Sequence, residues 1–217
     1  MNTSALFENE LNYIQNDLLR EIVKDTLDCA PKCIQIIPAS SSKKYHPEYA
    51  VITGSINNNG DVYEGGLMRH IKAAVGIAHC MLQTDIFKNM LFGTGADYYE
   101  SIVYYKDAVY ASLILHDCMK PDDTEKHNTR FDHPLLAAKL FKKTVSKHIN
   151  KENVDYLKEV APMIYNAIAS HMGQFNTASY AKDIELPKPR SVVDQFVHMC
   201  DYLASRKFLI FDFENYH

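Results

Sequence analysis

Apolar residues recur every three or four positions along most of this chain, a period that buries them on one face of a helix and on no other regular element. Leu6, Leu11, Ile14, Leu18, Ile22 and Leu27 predict a helix from about residue 4 to 28, with Pro31 just beyond as its stop. Further helices are predicted over 66–83, 97–117, 152–172 (interrupted or kinked at Pro162) and about 190–208. Another opens with Pro134 in its first turn, where a missing N–H goes unnoticed. Eight glycines and eight prolines among 217 residues fall below the usual ~7% and ~5%, which argues against a turn-rich all-β chain. The expectation is an all-α bundle of six or seven helices forming a single domain over residues 1–217. Residues 1–33 supply an N-terminal helix and residues 67–210 the helical core. Residues 34–66 stand apart, with Ser40, Ser41, Ser42, Pro47 and the run Asn57 to Gly60 as turn formers. Within them 49–53 and 61–63 suit a small β-hairpin, although an irregular loop would use the same letters.

Several function classes are disfavoured at once. Hydrophobic residues make up 47% of the chain, enough for a core, so wholesale disorder is excluded. No run of consecutive apolar residues exceeds four, so no membrane span is expected. The acidic Glu8, Glu10, Asp17 and Glu21 leave no room for a secretion signal. A net charge of −4 disfavours coating of extended duplex nucleic acid. Five cysteines, an odd number without an export signal, read as reduced thiols in a cytoplasmic protein.

Ten histidines are the unusual count. His116 ends the stripe Ile102, Tyr105, Val109, Leu113, with Asp117 beside it. His171 ends the stripe Val154, Leu157, Ala161, Ile164, Ile168 in the same way. Asp201 interrupts the apolar stripe Val193, Val197, Ala204; His70 lies in the first turn of its helix, and His133 precedes Pro134. Five elements thus each offer an imidazole or a carboxylate to the interior, where an unpaired charge is costly. Each histidine alone is more often a hydrogen-bonded core or surface residue, and one His-Asp dipeptide is what chance supplies. The combination points further, because imidazole and carboxylate donors suit Mn, Fe, Zn or Ni, and a carboxylate can bridge two ions. Cys29 and Cys33, with no matching second pair, read as ordinary thiols rather than a zinc cage.

With these residues in order, H…HD…H…H…D, the chain resembles the HD-domain superfamily of metal-dependent phosphohydrolases, in the variant with extra histidines. The strings Gly65-Gly-Leu-Met-Arg-His70, His116-Asp-Cys-Met-Lys120 and the helix Val197 to Arg206 carry the resemblance, which covers roughly residues 35 to 210. The segment Pro38 to His46 is similar to the one preceding the glycine pair in HD-type exonucleases, but here an insertion separates His46 from Gly65. The GYP element of HD-GYP domains is absent, so cyclic dinucleotide specificity is not carried over.

The resemblance implies an all-α bundle that hydrolyses a phosphate ester, usually of a nucleotide, with metal-activated water. It implies His70, His116, Asp117 and Asp201 as ligands of one divalent transition metal (Mn, Fe, Ni or Zn). His133 and His171 would complete a second site, with Asp117 bridging. Asp194 and His198 share the last helix with Asp201 as competitors. Asp117 and Lys120 are the candidate catalytic residues, Lys120 reaching a phosphate or else complementing its helix dipole. Lys120, Arg69, Arg206, His46 and Lys44 are candidate substrate contacts, Arg130 and Arg190 ranking below them. Loop 34–66, with Lys43, Lys44 and His46, is a candidate lid; a solvated loop is its plain alternative. The lysine run 139–151 reads as a solvated face, and the tyrosines at 98, 99, 104 and 105 as core. Two other functions share the ligand set: an HD-fold diiron oxygenase resembling myo-inositol oxygenase, and a non-catalytic nucleotide-binding module. The expected partner is a small phosphorylated molecule, a nucleotide first among them.

Overall fold

The computed structural model describes residues 2–92, 98–121, 129–209, 211 and 213. His127, His217 and the side chains of Tyr98, Tyr99 and Ile102 lie outside the described residues. The described residues form eight α-helices and one two-stranded antiparallel hairpin, an all-α bundle as the periodicity predicts.

The first predicted helix is divided. A 3₁₀ turn Thr3–Phe7 leads into a single turn, α1 (Glu8–Leu11), and α2 (Asp17–Asp28) starts afresh. The break has a clear cause. The backbone N–H groups of Gln15 and Asn16 both donate to the buried carboxylate of Asp107, each at 2.9 Å. Asn16 then caps α2 by accepting from Leu19 N–H at 3.0 Å. A helix running through would have used those donors itself, so a tertiary carboxylate outcompetes the local period.

Loop 29–65 holds 3₁₀ turns Lys32–Gln35 and Glu48–Ala50 and the hairpin. Its strands are β1 (Ser55–Ile56) and β2 (Val62–Tyr63), with Ser55 opposite Tyr63 and Ile56 opposite Val62. The first strand therefore falls after residues 49–53, part of which is 3₁₀ instead. The turn explains the shift: Asn57 Oδ1 accepts from Asn59 and Asp61 N–H at 2.9 Å each, and Gly60 takes φ 83°.

Helices α3 (Gly66–Leu82), α5 (Tyr98–Leu115), α6 (His133–His148), α7 (Val154–Ser170) and α8 (Val192–Ala204) lie close to the predicted segments. Helix α4 (Asp85–Phe92) lacked a prediction; at eight residues it is too short to show a period. Helix α7 runs on through Pro162. Both Pro162 and Lys158, whose carbonyl loses its donor, are exposed, so water can replace the missing bond. Residues 107–118, the end of α5 and the turn after it, are buried throughout. α5 is thus the axis of the bundle, packed by α2, α3, α7 and α8, while α3 lies on α8 and α6 on α7.

Candidate metal centre

The centre begins at the glycine pair. A Cβ on Gly65 would run into the backbone of Ile36 and Ile37, and one on Gly66 into the backbone of Ala50. That close approach lets loop carbonyls cap the helix: Gly65 N–H donates to Gln35 O at 2.9 Å, Gly66 N–H to Ile52 O at 2.8 Å and Leu67 N–H to Ile37 O at 3.0 Å. The start of α3 is so fixed, and His70 follows one turn in. Four more helix ends arrive at the same point. His116 and Asp117 follow α5, His133 opens α6, His171 closes α7, and Asp201 lies in the last turn of α8. Asp194, the competitor on α8, is spent elsewhere: it forms a capping box with Ser191, accepting Ser191 N–H at 3.0 Å.

The six side chains meet. Asp117 Oδ2 is 3.7 Å from His70 Nε2 and 3.6 Å from His116 Nε2, while Asp201 Oδ1 is 2.9 Å and 3.7 Å from the same two nitrogens. On the other side Asp117 Oδ1 is 2.8 Å from His133 Nε2 and 3.6 Å from His171 Nε2, and those two nitrogens are 3.2 Å apart. One carboxylate therefore faces two nests of donors with its two oxygens.

The protons on the rings decide what these contacts mean. His116, His133 and His171 each point Nδ1 at a backbone carbonyl, of Leu113 at 2.6 Å, Arg130 at 2.5 Å and Ile168 at 2.7 Å. A carbonyl only accepts, so each Nδ1 carries the proton and each neutral ring turns the lone pair of Nε2 inward. His133 Nε2 and Asp117 Oδ1 are then two acceptors at hydrogen-bond distance with no proton between them. His116 Nε2 and Asp117 Oδ1 are in fact buried without a hydrogen-bond partner. Carbonyl-fixed rings with converging lone pairs are how histidines are set to ligate a metal, and orphaned acceptors here are what a cation would satisfy. The buried groups His70, His116, Asp201 and His116, Asp117, His171 have ligand atoms within 4.8 Å of one another and could hold a metal ion. The donor set fits such an ion in chemistry and in spacing.

Local charge agrees. Burial drives the His116 ring down to about 4, and burial likewise lowers His133 in spite of Asp117. Burial works against ionising Asp117, yet Lys120, His116 and His133 hold it well below the usual carboxylate range. Burial also opposes the charged form of His171, but the neighbouring Asp117 and Asp201 carboxylates raise it overall.

A cavity of about 310 Å³ opens on the centre, lined by His46, His70, Asp117, Lys120, His171, Asp201 and Arg206 among others. Lys120 Nζ donates to Asp117 Oδ2 at 2.7 Å. Arg206 lays its guanidinium over the Tyr202 ring at 4.3 Å. Other candidates are placed elsewhere. Arg69 lies 5.6 Å from both the Tyr63 and Phe213 rings, and Lys44 lies 5.0 Å over Tyr45, neither lining this cavity. Arg130 is paired to Asp132 through two bonds of 2.9 Å. His79 stacks on Tyr13 at 4.2 Å and His148 pairs with Asp25 at 2.8 Å, both away from the centre.

Sequence reasoning set His198 aside in favour of Asp201 and did not single out Phe175 or Tyr202, yet all three line the cavity. His198 Nδ1 donates to the His171 carbonyl at 2.7 Å, and a Cβ on Gly173 (φ 55°) would strike its ring. Its place three residues before Asp201 on one helix was the available signal. Phe175 and Tyr202 are nearly parallel, 12° between planes and 6.3 Å between centroids. No helix among the described residues is long and apolar enough to cross a membrane. No family model matches the chain, and no curated protein or solved structure matches it either.

Proposed function

We propose that this chain is a metal-dependent phosphohydrolase of the HD-domain type, cleaving a phosphate ester of a nucleotide or short oligonucleotide. The observation that carries the reading is Asp117, whose Oδ1 faces His133 and His171 while its Oδ2 faces His70 and His116. That arrangement supports two ions: one held by His70, His116, Asp117 and Asp201, the other by Asp117, His133 and His171. Bound there, divalent ions of Mn, Fe, Ni or Zn lower the pKa of water for attack at phosphorus and neutralise phosphoryl oxygens. The chain supplies the rest. The Leu113, Arg130 and Ile168 carbonyls keep three rings in the ligating tautomer. Lys120, a point charge on a mobile stem, leaves Asp117 Oδ2 for a phosphoryl oxygen and follows the charge that grows there. Arg206, braced on Tyr202, offers its planar fork to the same phosphate. The near-parallel faces of Phe175 and Tyr202 suit a flat base. Two cationic side chains, Lys120 and Arg206, favour an anionic substrate over a neutral polyol. A cytoplasmic setting belongs to the same reading, since five cysteines, an odd number, suit reduced thiols.

The test is a phosphoester panel on Mn²⁺-loaded protein, run with and without oxygen. Cleavage that needs metal, ignores oxygen and disappears in Asp117→Ala supports the hydrolase. Activity that needs iron and oxygen and cleaves no ester supports the oxygenase instead. Nucleotide binding without turnover leaves a binding module.

A further inference from the structure

A second and larger cavity, about 670 Å³, adjoins the first, its lining including Lys43, His46, Glu48, Tyr63 and Lys207. His46 lines both cavities and so lies between them. Two separate chain segments form this boundary. One is 43–46 of the loop; the other is 206–207, where Arg206 lines the first cavity and Lys207 the second. The segments meet where Lys207 Nζ donates to the Lys43 carbonyl at 3.4 Å. Among the described residues no carboxylate forms an ion pair with either lysine. Among the described residues Glu48 is the only acidic side chain of the lining, so the compartment carries a positive excess. The first cavity, at the low end of the ~300–1,000 Å³ usual for ligand sites, accommodates one nucleotide-sized unit and leaves the second for something else.

We propose that the second cavity is a subsite for a second phosphate group of the substrate, held between Lys43 and Lys207. The preferred substrate then carries two phosphates on linked units: one ester at the metal centre and one phosphate beyond His46. Ammonium groups meet a phosphate as point charges without a demand on its orientation. Tyr63, 60% exposed, adds a ring on which the outer unit can stack. The inference rests on the phosphohydrolase reading for the position of the first phosphate.

Calorimetry on Mn²⁺-loaded protein tests it with two cleavage-resistant probes: a nucleoside monophosphorothioate, and the same molecule carrying a second phosphate. The added phosphate should tighten binding about tenfold, the scale of two exposed charge contacts made together. In Lys43→Ala/Lys207→Ala the ratio should fall to near one, and in Lys43→Arg/Lys207→Arg most of it should survive. A ratio of one in the unaltered protein, or a ratio that persists in the alanine variant, overturns the subsite. The hydrolase reading fails separately. If the ratio behaves as stated while bis(p-nitrophenyl) phosphate and nucleotide esters stay intact, the subsite stands and catalysis does not.

Discussion

Asp107 and Asp117 lie ten residues apart, at 0% and 1% exposure, and are put to opposite uses. Asp107 is met by two backbone N–H donors from the N-terminal segment, which satisfy it and fix where α2 begins. Asp117 is met by lone pairs, His133 and His171 on one oxygen and His116 on the other, where Lys120 donates and His70 lies 3.7 Å away. Donors around a buried carboxylate close a structure. Acceptors around one hold a place open for a cation. The same contrast predicts opposite responses to acid in the metal-free protein. Burial raises Asp107 above the ordinary carboxylate value, so the folded state takes up its proton first and gains stability as pH falls through that raised value. Asp117 is held below it, so its contribution, complete above the unfolded value, is lost as pH falls further.

The largest expected effect separates the two carboxylates directly. Asp117→Ala should cut phosphoester turnover by at least on the order of a thousandfold, the scale of removing charge stabilisation at a reacting group. Asp107→Ala should keep the metal content while lowering the unfolding free energy by about 1–3 kcal/mol, because two N–H groups lose their acceptor. Urea titration and elemental analysis of both variants read these outcomes. A loss of metal in Asp107→Ala without unfolding would erase the distinction.

A smaller effect belongs to His116. Its pKa, about 4 in the fold, lies below the ordinary histidine value. The unfolded chain therefore binds the proton first, and stability falls as pH drops from about 6.5 towards 4, by roughly 2–3 kcal/mol. His116→Gln should flatten that slope in urea titrations of metal-free protein at several pH values. His171 works in the other sense: its raised pKa makes a proton compete with metal from above the ordinary histidine range downward, so metal affinity should weaken as pH falls through that range. The smallest effect is at the surface. His148→Ala removes a pair with the half-exposed Asp25 and should change stability by less than about 1 kcal/mol, with metal content untouched.

The sequence made the bundle legible because α3, α6, α7 and α8 carry their own apolar period, with Pro134 opening α6 and a capping box opening α8. It misplaced the first helix because the deciding group, Asp107, is 91 residues away from Asn16, and no local pattern encodes so distant an acceptor. The hairpin slipped for a local reason, since Asn57 rather than the β-branched run sets its register. His70, His116, Asp117, His133, His171 and Asp201 were readable as inward-facing positions at helix ends, and they do converge. Lys44 and Arg69 were less legible, being chosen for charge and for neighbouring the strings. In a loop and in a first helical turn, side-chain direction depends on packing, and nearby aromatic rings engage both. His198 was set aside in favour of Asp201 because a histidine that grips a carbonyl and one that faces a cavity look alike in one dimension; this one does both.

The central claim is that the acceptors around Asp117 are a metal centre. Elemental analysis of purified protein after Mn²⁺ loading and desalting, set beside His133→Ala/His171→Ala, tests it most directly. The account predicts two ions per chain in the unaltered protein and one in the double variant. Protein that retains no metal, or a double variant that keeps the full complement, would contradict it.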